Sequence, residues 1–289
     1  MWSSEQLDLD AYLARLEYTG DRAPTLETLR ALQRAHVLTL RWDTFDSFLY
    51  REVRIDLPSV QDKLLRRGRG GYCYEHTVLF AAALEALGFR YTAVSARVQL
   101  GADSGTPRPL THAMLLVDLD DKRWLVDIGF GASPLEPIEL VDGGSSEGGP
   151  WPYLLRWQAI THDSEGWAVH QRGDGPEGPA GWTVRQVFTE TPQYPVDYAV
   201  GNHFVSTHER SPFVTRPYIQ RLRTDRYDTL DVLVWTTHRP GREPESRTVV
   251  PHEVPKLLDD VFDITMDSEE AALLVTRLAE LDATRNPAS

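Results

Sequence analysis

The stretch Arg69-Gly70-Gly71-Tyr72-Cys73-Tyr74-Glu75 contains the only cysteine among the 289 residues of the chain. Two glycines precede the thiol, and apolar residues with helical spacing follow it from Val78 to Leu87. This pattern predicts a helix that begins close to Cys73. Unpaired backbone N–H groups and the positive end of the helix dipole favour a thiolate at such a position. Cys73 is therefore a candidate nucleophile, and a cysteine that only packs in the core is the alternative.

The residues that precede this motif also show helical periodicity. Apolar residues recur at helical spacing in runs that start near Leu7, Thr25 and Pro58, and the run that contains Cys73 ends at Gly88. The pattern predicts a helical bundle over residues 1–95 that presents Cys73 at the tip of its last helix.

After Gly88 the periodicity changes to that of short strands. Turn-rich segments, including 101–109 and 173–181, separate them. The candidate strands cover 91–98, 113–119, 123–128, 153–160, 167–172 and 182–188. Such a succession predicts a small barrel or a sandwich.

From about residue 192 the chain mixes both types of element. We expect a short helix over 196–200, strands over 218–223 and 229–235, and helices over 251–262 and 268–281. The whole chain is therefore predicted to be a multidomain α+β protein.

A cysteine nucleophile needs a base, and His112 is our candidate. If Asp120 and Asp121 form a two-residue turn, antiparallel pairing places His112 opposite Gly129 and diagonal to Asp127 on the same face. A carboxylate there would orient the imidazole, which predicts a Cys-His-Asp relay of the cysteine-protease kind. An ordinary role for His112 and Asp127 at the strand ends remains open. His76 is the rival base, one helical turn beyond Cys73.

Composition limits the partners and the location of the protein. A net charge of −13 and a pI near 5.1 argue against nucleic acid as a partner. The single cysteine suits a reducing compartment, and we see no signal peptide, membrane span or metal-ligand spacing. We expect a cytoplasmic protein, with or without homo-oligomerisation. The basic cluster of Lys63, Arg66, Arg67 and Arg69 is either a solvated helix end or an attractor for an anionic cosubstrate.

Several blocks of the sequence resemble the arylamine N-acetyltransferase family. The resemblance rests on the motif around Cys73, on Thr111-His112-Ala113-Met114-Leu115-Leu116-Val117 and on Val126-Asp127-Ile128-Gly129-Phe130-Gly131. A further block, Asn202-His203-Phe204-Val205-Ser206-Thr207-His208 with Ser211-Pro212-Phe213, resembles the entry into the family's third domain. The blocks follow one another in order across nearly the whole chain.

The resemblance implies both an architecture and an activity. The architecture is a helical bundle over 1–95 that carries Cys73, a β-barrel over 96–200 that carries His112 and Asp127, and an α/β lid over 201–289. The activity is ping-pong transfer of an acetyl group from acetyl-CoA, through acetylated Cys73, to an arylamine or arylhydrazine. Acetyl-CoA would be a cosubstrate, and no permanently bound cofactor is implied.

The resemblance also suggests which residues form the substrate pocket. We expect Trp42, Phe130, Phe204 and Trp235 near the acceptor, although core packing is an equal alternative for Phe204 and Trp235. Gly129, Phe130, Gly131 and Phe204 are the candidates for contact with CoA. The chain departs from the family pattern at Tyr74, at His76-Thr77 and around Trp42, so the preferred acceptor is open.

Three other functions fit the same residues. The first is an amide synthase of ansamycin macrolactam assembly, which keeps the triad and takes its acyl chain from a carrier protein. The second is a cysteine hydrolase, in which water accepts the acyl group. The third is a non-catalytic binding protein with the same fold.

Overall fold

The computed structural model describes residues 2–100, 108–173 and 181–285. The predicted loops 101–109 and 173–181 lie mostly outside these ranges. No helix of the described ranges combines the length and the apolar character needed to cross a membrane.

Most predicted helices are present. Thr25 caps α2 as its sequence suggests, because its side chain accepts a hydrogen bond from the backbone N–H of Thr28 at 3.2 Å. The helix predicted over 196–200 is longer, since Pro195 begins it and Thr207 ends it. The helices are α1 (Leu9–Arg15), α2 (Leu26–Thr39), α3 (Phe45–Phe48), α4 (Leu57–Gln61), α5 (Cys73–Ala86), α6 (Pro195–Thr207), α7 (Pro212–Thr215), α8 (Val254–Phe262) and α9 (Ser268–Arg285).

The strands form two antiparallel sheets. Each of the six strands predicted between residues 91 and 188 is present, with ends that differ by a few residues. The strands are β1 (Trp42–Asp43), β2 (Arg90–Val98), β3 (Leu110–Leu119), β4 (Lys122–Val126), β5 (Ile138–Glu139), β6 (Ser145–Ser146), β7 (Tyr153–Thr161), β8 (Ser164–Arg172), β9 (Trp182–Phe188), β10 (Tyr218–Leu222), β11 (Tyr227–Asp231), β12 (Val234–His238) and β13 (Glu245–Thr248).

The larger sheet has eight strands in the order β5-β4-β3-β2-β9-β8-β7-β6. Its edge strands, β5 and β6, are joined by a short turn, so the sheet curls almost into a barrel. Asp120 and Asp121 are the two turn residues between β3 and β4, and both have positive φ, of 50° and 57°. These angles are typical of a hairpin turn whose twist matches that of the strands. The predicted register is therefore confirmed.

The smaller sheet corrects one prediction. The strand expected over 229–235 is instead the hairpin of β11 and β12, which turns at Val232 and Leu233. Val232 has φ of 56°, a conformation that is unfavourable for a β-branched residue. The turn also lacks glycine, asparagine or proline, so the sequence carries no signal for it.

Two hydrophobic cores hold these layers together. The main core joins α5 and its helical neighbours to the barrel-like sheet, whereas the second core joins the smaller sheet to α8 and α9. Phe45 and Phe48 belong to the second core, so the N-terminal part of the chain packs on the C-terminal part. The boundaries predicted near 95 and 200 fall inside β2 and α6, and the division into three domains remains a prediction.

A buried charge cluster fixes the start of α5. Glu75 is fully buried, and its Oε2 accepts a hydrogen bond from the Tyr72 backbone N–H at 3.0 Å. Lys63 Nζ lies 2.7 Å from Glu75 Oε1 and 2.7 Å from Asp46 Oδ2. Burial lowers the pKa of Lys63, but the carboxylates of Glu75 and Asp46 outweigh burial and raise it. For Glu75 the balance is the opposite. Lys63 lowers the pKa of Glu75, but burial raises it by more, and the pKa of Glu75 is raised to about 7.

Replacement of Lys63 should therefore destabilise the fold in a pH-dependent way. The folded-state pKa of Glu75 lies above its ordinary value of 4.5, so its contribution to stability is lost as the pH rises through about 7. In urea denaturation, Lys63→Met should lower the free energy of unfolding by about 3–5 kcal/mol at pH 8. The loss should be smaller at pH 5.5, where Glu75 is protonated.

Lys122→Met is the matched control, because Lys122 pairs with Glu139 and its side chain is 53% exposed. An exposed pair of this kind contributes at most about 1 kcal/mol. A Lys63→Met loss that is equal at the two pH values would contradict this account of the cluster.

Candidate active site

Cys73 is the first residue of α5, as the sequence predicts. The clamp of Glu75 on Tyr72 fixes this start, and Cys73 is only 3% exposed. Its Sγ lies 3.6 Å from the carbonyl oxygen of Thr111, which precedes His112 on β3. The helix tip and the strand therefore hold the thiol beside the imidazole.

His112 and Asp127 form the contact that the hairpin register predicts. His112 Nε2 lies 3.0 Å from Asp127 Oδ1, and both side chains are buried. Since Nε2 faces Asp127, Nδ1 is the nitrogen left for Cys73. Burial lowers the pKa of His112, but the charge and hydrogen bond of Asp127 and the hydrogen bond with Cys73 outweigh it and raise the pKa to about 10. His112 therefore holds a proton at neutral pH.

Two further contacts keep Asp127 charged. Gln186 Nε2 donates to Asp127 Oδ2 at 2.7 Å, and the backbone N–H of Gly129 donates to Oδ1 at 3.3 Å. Burial alone would raise the pKa of Asp127, but His112 and these donors outweigh burial and lower it. The carboxylate can thus orient His112 and balance its positive charge.

His76, the rival base, is occupied elsewhere. Its Nε2 lies 3.0 Å from the carbonyl oxygen of Arg41 and 3.2 Å from that of Gly71, so this nitrogen is the donor. Its Nδ1 lies 2.9 Å from His36 Nε2, and His36 Nδ1 lies 2.9 Å from the Tyr12 hydroxyl. Burial lowers the pKa of His76 to about 4. His76 is therefore a neutral link in a buried chain of hydrogen bonds.

A cavity of about 510 Å³ opens beside Cys73 and His112. The predicted pocket residues Trp42, Phe130 and Phe204 line it, whereas the structure does not place Trp235 there. Trp235 packs against the second core, and the Arg247 guanidinium carbon lies 5.7 Å from its ring centre. The aromatic wall is formed by Trp42, Phe130, Phe204, Phe213, Tyr218 and Tyr227.

The two glycines proposed for CoA contact have different neighbours, since Gly129 lies against Cys73 and Gly131 lies against Gln220. A Cβ on Gly129 would lie 2.6 Å from Cys73 Cα, so only glycine allows this approach. The carbonyl oxygen of Gly129 accepts a hydrogen bond from the Trp42 indole N–H at 2.6 Å. Gly131 has φ of 99°, and a Cβ there would meet Gln220. Both glycines therefore serve the close packing of this segment.

Several residues of the site carry no signal in the sequence. Arg185 of β9 and Gln220 of β10 line the cavity, yet neither belongs to a recognisable motif. In the basic cluster, Lys63 and Arg69 are buried and form ion pairs with carboxylates. These two residues hold the fold together and do not form an exposed anion attractor. In the described part of the chain, no group of three or more His, Cys, Asp or Glu side chains could hold a metal ion.

Comparison with known proteins finds relatives that match nearly the whole chain. The family model described as N-acetyltransferase matches residues 25–271. An arylamine N-acetyltransferase of Mycolicibacterium smegmatis is 32% identical over 280 residues, which cover 95% of this chain and 98% of that protein.

Solved structures agree in fold as well as in sequence. The structure of the arylamine N-acetyltransferase from Mycobacterium abscessus is 43% identical, has a TM-score of 0.92 and is matched over 96% of this chain and 97% of that one. The Mycobacterium marinum enzyme in complex with CoA is 30% identical, has a TM-score of 0.85 and is matched over 95% of this chain and 99% of that one. The chain belongs to the arylamine N-acetyltransferase family.

Proposed function

We propose that Cys73 carries the acetyl group during acetyl-CoA-dependent N-acetylation of arylamines and arylhydrazines, with His112 and Asp127 as the other catalytic residues. The observation that carries this assignment is the contact of Asp127 with His112 beside Cys73, at the edge of an aromatic cavity. Such a relay activates a thiol and orients the base that moves its proton.

The first half-reaction acetylates Cys73. His112 holds the proton that the thiol has given up, and Sγ attacks the acetyl carbonyl carbon of acetyl-CoA. Backbone N–H groups at the start of α5 are placed to stabilise the oxyanion, since they have no acceptor within the helix. The bond between the acetyl carbon and the CoA sulfur then breaks, and His112 returns its proton to the departing CoA thiolate.

The second half-reaction transfers the acetyl group to the amine. The amine nitrogen attacks the thioester carbon, the bond to Sγ breaks, and His112 accepts the proton that the nitrogen loses. That proton stays on His112, and Sγ, freed of the acetyl group, can attack the next acetyl-CoA. The buried carboxylate of Asp127 stabilises the imidazolium formed in each half-reaction.

The cavity supports the assignment of both substrates. Its aromatic wall suits an aromatic acceptor, for which we propose contacts with Trp42, Phe130 and Phe204. For CoA we propose contacts with Gly129, Phe130 and Phe204, which line the same cavity, and with the adjoining Gly131. The CoA bound to the M. marinum enzyme supports acetyl-CoA as the donor.

The remaining assignments concern location and assembly. We propose that the protein is cytoplasmic, in keeping with its free, buried cysteine. Three further assignments are proposals. They are homo-oligomerisation, the lack of nucleic-acid and membrane partners, and the domain limits 1–95, 96–200 and 201–289. Amide synthesis from a carrier protein and hydrolysis are less favoured, because the relatives described above are arylamine N-acetyltransferases.

Acetyl-CoA should add one acetyl group to Cys73. Intact-mass spectrometry and peptide mapping after incubation without amine should locate the adduct on Cys73, and Cys73→Ser should not form it. Addition of an arylamine should then remove the adduct and yield the amide. A wild-type protein that forms no adduct would contradict the proposal, and rapid loss of the adduct in buffer alone would favour a hydrolase.

The two histidines next to Cys73 should respond differently to substitution. His112→Gln should slow the acetylation of Cys73 by about 10²–10⁴-fold, because the base is lost. His76→Gln retains a donor for the carbonyl groups of Arg41 and Gly71, so acetylation should slow less than about tenfold. Rapid-mixing mass spectrometry measures both rates, and the opposite ranking would identify His76 as the base.

Acetylation should depend on pH through His112. Because its folded-state pKa is raised to about 10, the imidazolium that protonates CoA persists above neutral pH, and the rate should fall as the pH rises through about 10. Asp127→Asn removes the charge that raises this pKa, so the fall should move toward the ordinary histidine value of 6.5. If the rate of the Asp127→Asn variant falls at the same pH as that of the wild type, a group other than His112 titrates.

A further inference from the structure

A buried series of three side chains connects the N-terminal helices to the active site. It starts at Tyr12 of α1, passes through His36 of α2 and ends at His76 of α5. Each of these residues is at most 2% exposed, and the three lie outside the lining of the cavity. The proposed mechanism assigns no step to them, because His112 is the base. Their effect on the reaction must pass through the backbone that they contact.

The acceptors at the end of the series decide where its protons lie. The carbonyl oxygens of Arg41 and Gly71 can only accept, so Nε2 of His76 carries a proton. Burial lowers the pKa of both histidines, and each ring is therefore neutral near pH 7 with one proton. Nδ1 of His76 thus accepts from Nε2 of His36, and Nδ1 of His36 accepts from the Tyr12 hydroxyl. Every hydrogen bond of the series points toward the two carbonyl groups.

These two carbonyl groups belong to the backbone bridge that holds Trp42. The N–H of Gly71 donates to the Arg41 carbonyl oxygen at 3.1 Å, and the N–H of Asp43 donates to the Gly71 carbonyl oxygen at 2.9 Å. Trp42 thereby pairs with Gly71 in an isolated parallel bridge. Nε2 of His76 lies within 3.2 Å of both carbonyl oxygens. A single side-chain donor therefore ties the two sides of the bridge together.

The bridge is short and depends on a close approach of two backbone segments. A Cβ on Gly70 would lie 2.9 Å from the Arg41 carbonyl oxygen and still closer to the Asp43 carboxylate, so only glycine allows this approach. β1 has just two residues, and few backbone hydrogen bonds fix its place. The contribution of His76 to this bridge is correspondingly large.

Trp42 carries the position of the bridge into the cavity wall. Its ring lines the cavity and packs edge to face on Phe213 and Tyr218, at ring-centre distances of 5.5 Å and 5.7 Å. Its indole N–H donates to the Gly129 carbonyl oxygen at 2.6 Å. A shift of the bridge would therefore move one wall of the cavity.

Other contacts position the thiol and the base. The hydrogen bond from the Tyr72 backbone to Glu75 sets the start of α5, and Asp127 orients His112. Neither contact includes a member of the buried series. A change at His36 should therefore disturb the cavity wall more than the reacting groups.

We propose that His36 is a positioning residue that acts through His76 to hold Trp42 in the cavity wall. It supports the transfer of the acetyl group to the amine, which must lie against this wall, more than it supports the acetylation of Cys73. Tyr12 acts one step farther away, because its hydroxyl fixes the imidazole of His36. This inference rests on the proposed function and assigns residues remote from the cavity to its second half-reaction.

The kinetic test measures the two half-reactions separately in His36→Leu. Rapid-mixing mass spectrometry follows the acetylation of Cys73 and then the loss of the adduct after addition of 4-methoxyaniline. At subsaturating amine, transfer should slow by about 10-fold, as for the loss of one buried hydrogen bond, whereas acetylation should change by less than about threefold. Equal slowing of both half-reactions would show a merely structural role. That result, or no change in either rate, overturns the inference.

Two further variants grade the effect along the series. His36→Gln keeps a donor for His76 and an acceptor for Tyr12, so transfer should return to within about threefold of the wild-type rate. Tyr12→Phe leaves the hydrogen bond between the two histidines in place, so it should slow transfer less than His36→Leu does. A His36→Gln variant as slow as His36→Leu would contradict the proposed role of the hydrogen bond.

Gln61→Leu is the control for the loss of a buried polar side chain in the same bundle. Gln61 is 3% exposed, and its hydrogen bonds go to the backbone of residues 6, 8 and 57, away from the cavity. The ratio of the two half-reaction rates should equal that of the wild type. If Gln61→Leu slows transfer alone, the split seen in His36→Leu is not specific and the inference fails.

Hydrogen exchange separates this inference from the proposed function, because it needs no substrate. NMR measures the exchange of the backbone N–H groups of Asp43 and Gly71, which form the bridge. In His36→Leu both should exchange about 10-fold faster, whereas N–H groups between β7 and β8 should keep their wild-type rates. This result supports the positioning role even if Cys73 is not acetylated. Unchanged exchange at Asp43 and Gly71 overturns the inference, whatever the kinetics show.

Discussion

The buried pairing of Lys63 with Glu75 is the interaction on which the active site depends. Glu75 uses one oxygen for Lys63 and the other for the backbone of Tyr72, and this second bond makes Cys73 the first residue of α5. A start one residue earlier or later would turn the thiol away from β3 by about 100° around the helix axis. A charge cluster that does not line the cavity thus sets the direction of the nucleophile.

The sequence predicts the triad better than it predicts the cavity wall. Cys73, His112 and Asp127 follow from local rules, because a helix start and a two-residue turn fix where their side chains lie. Arg185 lies on β9, and the sequence pattern of a strand predicts only which face is buried. It does not predict that Arg185 lines the cavity. The residue type of Trp235 fits either the acceptor pocket or core packing. The structure places it against the second core, and the Val232 turn that positions it has no sequence signal.

His76 shows why proximity in sequence is a poor guide to catalytic role. It lies one turn from Cys73 on the same helix, but a base must offer its nitrogen to the thiol, and both nitrogens of His76 have other partners. The series of hydrogen bonds from Tyr12 through His36 and His76 ends on two carbonyl groups, that of Arg41 next to Trp42 and that of Gly71 within the cysteine motif. Its role is to hold these two backbone segments together.

The hydrogen bond from Trp42 to Gly129 gives the cavity one stiff side. Trp42 cannot yield to a bulky acceptor without pulling on Gly129, whose Cα packs on the backbone of the nucleophile. The opposite side is looser, since Phe204 is 37% exposed on α6. Divergence or engineering toward larger acceptors should therefore accumulate around Phe204, whereas changes at Trp42 trade acceptor size against catalytic alignment.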